Sequence, residues 1–152
     1  MKSALVEKIC VELRRRLDAL SRAAKEAHLA ATDPGSKAEG KYDTRSLEAS
    51  YLASGQARQV EGLAEALQRF ESTALRNFSS DDAVGAGALV EVVLAGDVCY
   101  FLLSPVAGGM ELEYDGKELT LLTPESPLYQ KLLGMEVGDE LDQPVLEVLS
   151  VH

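Results

Sequence analysis

Apolar positions along the first fifth of the chain recur at helical spacing. Val6, Cys10, Leu13, Leu17, Leu20, Ala24, Ala27 and Ala31 step by 4, 3, 4, 3, 4, 3 and 4 residues, an unbroken heptad seam that predicts a coiled-coil helix from Ser3 to about Ala31. At a rise of about 1.5 Å per residue it is roughly 40 Å long. Large side chains fill the seam near the N-terminus and only alanine fills it toward Ala31, so a partner helix is expected to approach more closely there. Pro34-Gly35 breaks the pattern, because proline disfavours helical geometry in the residue before it and glycine supplies turn geometry. A second helix is expected to start between Asp43 and Ser46, with the hydroxyl of Thr44 or Ser46 as its N-cap. Val60, Leu63, Leu67, Phe70 and Ala74 then continue at 3, 4, 3, 4 spacing and match the leucine-rich base of the first helix, as an antiparallel hairpin requires.

The period changes after this. Asn77–Ala88 is polar and then Gly/Ala-rich, and reads as a linker. Ala88–Leu94 is strand-like, Gly96-Asp97 makes a turn, and Val98–Leu103 reads as the return strand. Met110–Tyr114 alternates, Asp115-Gly116 is a hairpin turn signal, and Leu119–Leu122 follows. In Ser126–Gly134, Ser126 suits an N-cap, Pro127 the first helical turn and Gly134 the stop. Glu136–Asp139 is a turn, and Gln143–Val151 contains a closing strand. The fold class expected is α+β: an N-terminal antiparallel coiled-coil hairpin over 1–78 with its tip at 32–51, a linker at 79–87, and a small antiparallel β domain with one short helix over 88–152.

Composition narrows the chemistry. Hydrophobic residues make up 46% of the chain but aromatics only 5%, with no Trp, which favours Ala/Leu helix packing and a small sheet over a large aromatic-lined pocket. Cys10 and Cys99 lie one in each half with no CxxC pair, and His28 and His152 are far apart. That pattern fits reduced thiols in a cytoplasmic protein and argues against zinc or a nucleophile–base pair. No apolar run reaches about 18 residues, so no membrane span is expected, and the N-terminus becomes charged too soon for a secretory signal.

The net charge of −10 is unevenly spread: residues 1–79 carry 13 Lys/Arg against 11 Asp/Glu, and residues 80–152 carry 2 against 14. The acidic part should be repelled by nucleic acid, so no independent DNA binding is expected. It should prefer a basic protein surface, unless its charge serves only solubility. Arg14, Arg15, Arg16, Arg22 and Lys25 make the first helix basic, either as a solvated face or as a contact for phosphates or a protein partner.

The succession of a coiled-coil hairpin, a linker and an acidic small sheet carrying Ser126-Pro127-Leu128, Leu132-Leu133-Gly134 and Val137-Gly138-Asp139 resembles the Gre family of bacterial transcript-cleavage factors, over nearly the whole chain. Glu48, Tyr51, Ala53, Gln56 and Val60-Glu61-Gly62 are similar to the family's second helix. The resemblance implies an FKBP-like C-terminal domain that docks on RNA polymerase, with Ser126, Pro127, Leu128, Arg14 and Arg15 as partner contacts. It implies a hairpin that enters the polymerase secondary channel and reaches nascent RNA only through the polymerase. An Asp and a Glu three positions apart at the family's tip help hold Mg²⁺ at the polymerase active site, so the chain needs no cofactor of its own. Asp43 and Glu48 are the residues that resemblance nominates for catalysis and metal contact. The pattern is not matched in full: Ser46 stands three residues after Asp43, and Lys41 and Arg45 flank it. A cleavage-stimulating accessory and a noncleaving regulator therefore both remain open, and neither is an enzyme by itself. A coiled-coil assembly protein that does not act on polymerase would also explain the heptads and the charge split. A prolyl isomerase would need an aromatic-lined cleft, for which residues 80–152 offer only Tyr100, Phe101, Tyr114 and Tyr129.

Overall fold

The computed structural model describes residues 2–32 and 45–152; side chains are described up to residue 23 and at 25, 26 and 29 in the first segment, and from residue 55 onward in the second. Two compact units emerge, Glu7–Ser72 and Met1–Val6 with Thr73–His152.

The helical unit contains most of α1 (Lys2–Thr32) and all of α2 (Arg45–Ser72). An ion pair joins Arg14, in the first half of α1, to Glu71 at the end of α2. This contact fixes the helices as antiparallel. A parallel pair would leave Thr32 and Arg45 roughly 65 Å apart, whereas the intervening chain spans at most about 45 Å. The buried positions differ in part from a strict heptad seam. Ile9 and Leu13 are fully enclosed, Cys10, Ala66 and Phe70 are buried, and Val6, Leu17, Leu20, Val60, Leu63 and Leu67 are half-buried. Leu5, Ile9 and Leu13 lie one turn apart, so the apolar stripe is broader than a two-position seam and is centred one residue off Val6 and Cys10. Ala74 falls beyond the end of α2, and the side chains of Ala24, Ala27 and Ala31 lie outside the described residues.

The other unit is a six-stranded sheet in the order β3-β4-β2-β1-β6-β5, where the strands are β1 Leu89–Leu94, β2 Asp97–Leu103, β3 Glu111–Tyr114, β4 Lys117–Leu122, β5 Glu140–Asp142 and β6 Val145–Val151. One pair departs from the expected all-antiparallel arrangement: β4 lies parallel to β2, with Tyr100 opposite Leu119 and Leu103 opposite Leu122. The cause is the connection after β2. It carries the chain out to the sheet edge to make β3, and the two-residue Asp115-Gly116 turn then returns β4 into the gap beside β2. Both turn residues have positive φ, 52° and 71°, as the hairpin turn with two left-handed positions demands. In the first hairpin the positive-φ pair is Ala95-Gly96, one residue before the position read from sequence.

Strand alternation gives the sheet two buried faces. Val90, Val92, Phe101, Leu103, Leu146 and Val148 pack with Tyr129 and Leu132 of the short helix α3 (Pro127–Leu132). Leu89, Leu102, Leu119 and Leu121 alternate with that set, point to the opposite face and are also buried. Residues 79–87 are bonded into this unit: Val84 N–H donates to Met135 O at 2.7 Å, Gly87 N–H to Leu103 O at 2.7 Å, and Val84 itself is a core residue. The Lys2 ammonium donates to Arg76 O and, at 2.6 Å, to Gly87 O, tying the start of α1 to the end of that segment and to the chain just before it. Ser104 is buried and its hydroxyl donates to Val106 O at 2.6 Å, a turn role that also seals it from modification.

Candidate partner-docking surface

Three of the five residues expected to meet a partner, Ser126, Pro127 and Leu128, lie at the start of α3. Pro127 occupies the first helical turn, where its missing N–H costs no bond. Ser126 holds the N-cap position with extended backbone, but its side chain makes no capping bond. Its backbone closes the turn instead: Ser126 N–H donates to Thr123 O at 2.8 Å, and Gln130 Nε2 donates to Pro124 O at 2.8 Å. Leu128 packs partly against the core. Gly134 ends the helix at φ 83°, and its N–H donates to Val84 O at 2.8 Å.

Beyond α3 the chain exposes residues 133–134 and 136–137 and turns only Met135 inward. Met135 is buried, while Leu133 and Val137 on either side of it are 39% and 43% exposed. A reciprocal turn fixes Val137, since Glu136 N–H donates to the Asp139 carboxylate at 2.8 Å and Asp139 N–H donates to Glu136 O at 3.0 Å. Gly138 N–H then bonds Val148 O at 2.8 Å and anchors the turn to β6. The stretch carrying these two apolar side chains also exposes Glu125, Glu136, Asp139 and Glu140, against one exposed base, Lys131. Hydrogen bonds from the Thr123 hydroxyl and from its own backbone N–H hold the Glu125 carboxyl below the usual range. An apolar spot inside an acidic frame is suited to recognising a basic, partly apolar protein surface. Among the described residues no group of three or more His, Cys, Asp or Glu could hold a metal ion.

Three solved structures similar to this chain are of Gfh1. The GreA factor homolog 1 of Thermus thermophilus shares 20% identity over 94% of each chain at a TM-score of 0.35. Gfh1 of Thermus aquaticus shares 19% identity over 93% of this chain and 92% of that one, at 0.36. A further structure of the transcription factor Gfh1 shares 21% over 98% and 92%, at 0.38. Likenesses this distant carry no argument, and the α+β architecture rests on the helices and strand pairing described above. No protein-family model and no curated protein matches the chain.

The remaining candidates fall elsewhere. Asp43 and the side chain of Glu48 lie outside the described residues. Arg14 is engaged by Glu71, and Arg15 holds Glu12 in a two-pronged contact at 2.8 and 3.0 Å. Arg16 Nε donates to the same carboxylate at 2.7 Å, so much of the arginine run is answered within its own unit. Leu133 and Val137 were absent from the residues singled out for docking, and no periodicity marks them: at two-residue spacing they would share a face with buried Met135. Among the described residues no helix is long and apolar enough to cross a membrane.

Proposed function

We propose that this chain is a Gre-like transcription factor that binds RNA polymerase and modulates elongation or initiation from the secondary channel. The observation that carries the reading is the surface around α3. Ser126, Pro127 and Leu128 adjoin exposed Leu133 and Val137 inside an acidic frame, on a unit whose charge is opposite to that of a nucleic-acid binder. This unit is the anchor, and its partner is a basic protein surface of the polymerase. The helical unit is the effector, with Asp43 and Glu48 as the carboxylates that would share Mg²⁺ with the polymerase active site. Hard carboxylate oxygens suit that ion, while Lys41 and Arg45 beside Asp43 oppose it by charge. The chain acts as an accessory to polymerase chemistry, and nascent RNA is met only within that complex.

A stalled bacterial elongation complex tests the proposal. Wild type is expected to bind core polymerase and to change the stalled transcript's fate. If the transcript is shortened, Asp43→Ala should abolish the shortening and Glu48→Ala should reduce it. If pausing or initiation changes without shortening, the chain regulates and does not stimulate cleavage. Failure of the wild type to bind polymerase rejects the proposal.

A further inference from the structure

On the sheet face opposite α3, at the end of the β3–β4 hairpin, is a cleft of about 190 Å³ lined by Leu89, Tyr100, Tyr114, Asp115, Lys2 and His152. Strand register builds it. Glu91 sits opposite Tyr100 across β1–β2, Tyr114 opposite Lys117 across β3–β4, and Tyr100 opposite Leu119 across β2–β4. The rings of Tyr100 and Tyr114 meet edge to face, with centroids 5.3 Å apart and planes at 79°.

Much of the charge at the cleft is already matched. Lys117 Nζ lies 2.9 Å from the Glu91 carboxylate and 5.4 Å from the centre of the Tyr100 ring. Hydrogen bonds from Lys117 and then from the Tyr100 hydroxyl hold the Glu91 carboxyl below its ordinary value. Burial, followed by that bond to Glu91, pushes the Tyr100 hydroxyl up. The Lys2 ammonium is committed to two backbone carbonyls and to the Phe78 ring 4.8 Å away. Asp115 is exposed at the rim, fixed by its positive-φ turn, and its charge also acts on Lys117 and Tyr100.

We propose that this cleft takes one cationic side chain, arginine foremost, from a protein partner. Size excludes larger ligands: small-molecule pockets run to roughly 300–1,000 Å³, whereas this one is about 190 Å³ and holds a single side chain. Half-buried Tyr114 offers ring surface on which a flat guanidinium packs, while the buried Tyr100 ring, covered by Lys117, backs it. Asp115 supplies a carboxylate for a charge-assisted pair, and Leu89 an apolar wall for the stem. The acidity of residues 80–152, 2 Lys/Arg against 14 Asp/Glu, draws cations toward it. The inference does not depend on the polymerase reading.

Amide NMR spectra of the full chain, titrated with N-acetyl-arginine amide and with its lysine and norleucine counterparts, test it. Saturable shifts centred on Leu89, Tyr100, Tyr114 and Asp115 are expected, with arginine bound more tightly than lysine and lysine more tightly than norleucine. Asp115→Asn keeps a residue that tolerates positive φ, so the hairpin is retained. It should weaken the arginine probe about five- to tenfold. Tyr114→Leu, checked for a native-like spectrum, should weaken arginine more than norleucine. No saturable shift, a norleucine affinity equal to that of arginine, or an unchanged affinity in Asp115→Asn would overturn the proposal.

Discussion

At the scale of single residues, Glu12 organises the basic helix more than any arginine does. Hydrogen bonds from Arg15 and then Arg16 depress its carboxyl from 4.5 to about 2. A carboxyl depressed in the folded state adds stability that is complete above its unfolded pKa, so this contribution should fade as pH falls from about 4.5 toward 2. Carbon-detected NMR should place the Glu12 titration near pH 2, and Glu12→Gln should flatten the acid limb of the stability curve. Gly108 is a second point of leverage. A Cβ there would sit 2.6 Å from Thr123 Oγ1 and 2.9 Å from its Cγ2. Gly108→Ala should therefore cost about 1–3 kcal/mol by urea denaturation, with part of it recovered in the double variant with Thr123→Ala. Much at this scale was legible: the Asp115-Gly116 turn and the Gly134 stop each follow from backbone preference. The Ala95-Gly96 register was not, because an alanine at φ 51° is imposed by strand pairing and not by its own propensity.

At the scale of elements, hydrophobic period and turn signals gave the helices, most strands and the two hairpin pairings, but not the pairings between hairpins. Antiparallel packing of α1 and α2 was readable from the matching leucine-rich bases, whereas the centre of the stripe was not. Ile9 was passed over because Cys10 kept the heptad unbroken, yet Ile9 is fully enclosed and Val6 only half-buried. Ile9→Ala should accordingly destabilise by about 2–5 kcal/mol and Val6→Ala by clearly less, compared by thermal and denaturant unfolding. The parallel β2–β4 pair was beyond sequence reading, since alternation identifies a strand without saying which neighbour it takes. Short β5, Glu-Leu-Asp, offers too few residues for any period to register.

At the scale of the whole molecule, the uneven charge is the feature most directly tied to function. With 14 acids against 2 bases over residues 80–152, the proposed contact with a basic protein surface should weaken as salt rises. The turn and helix roles of Pro127 and Ser126 were legible because they are local, whereas docking at Ser126, Pro127 and Leu128 is part of the proposal. Leu133 and Val137 emerged only from the folded chain, which exposes them on either side of buried Met135. The assigned carboxylates, Asp43 and Glu48, remain a matter of resemblance, because Asp43 and the Glu48 side chain lie outside the described residues. The measurement that bears most directly on the account is the affinity of the full chain for core RNA polymerase, wild type against the double variant Leu133→Asp, Val137→Asp. The account predicts salt-sensitive binding by the wild type and at least a tenfold loss in the variant at unchanged thermal stability. Equal affinity in the two proteins, or no wild-type binding at all, would contradict it.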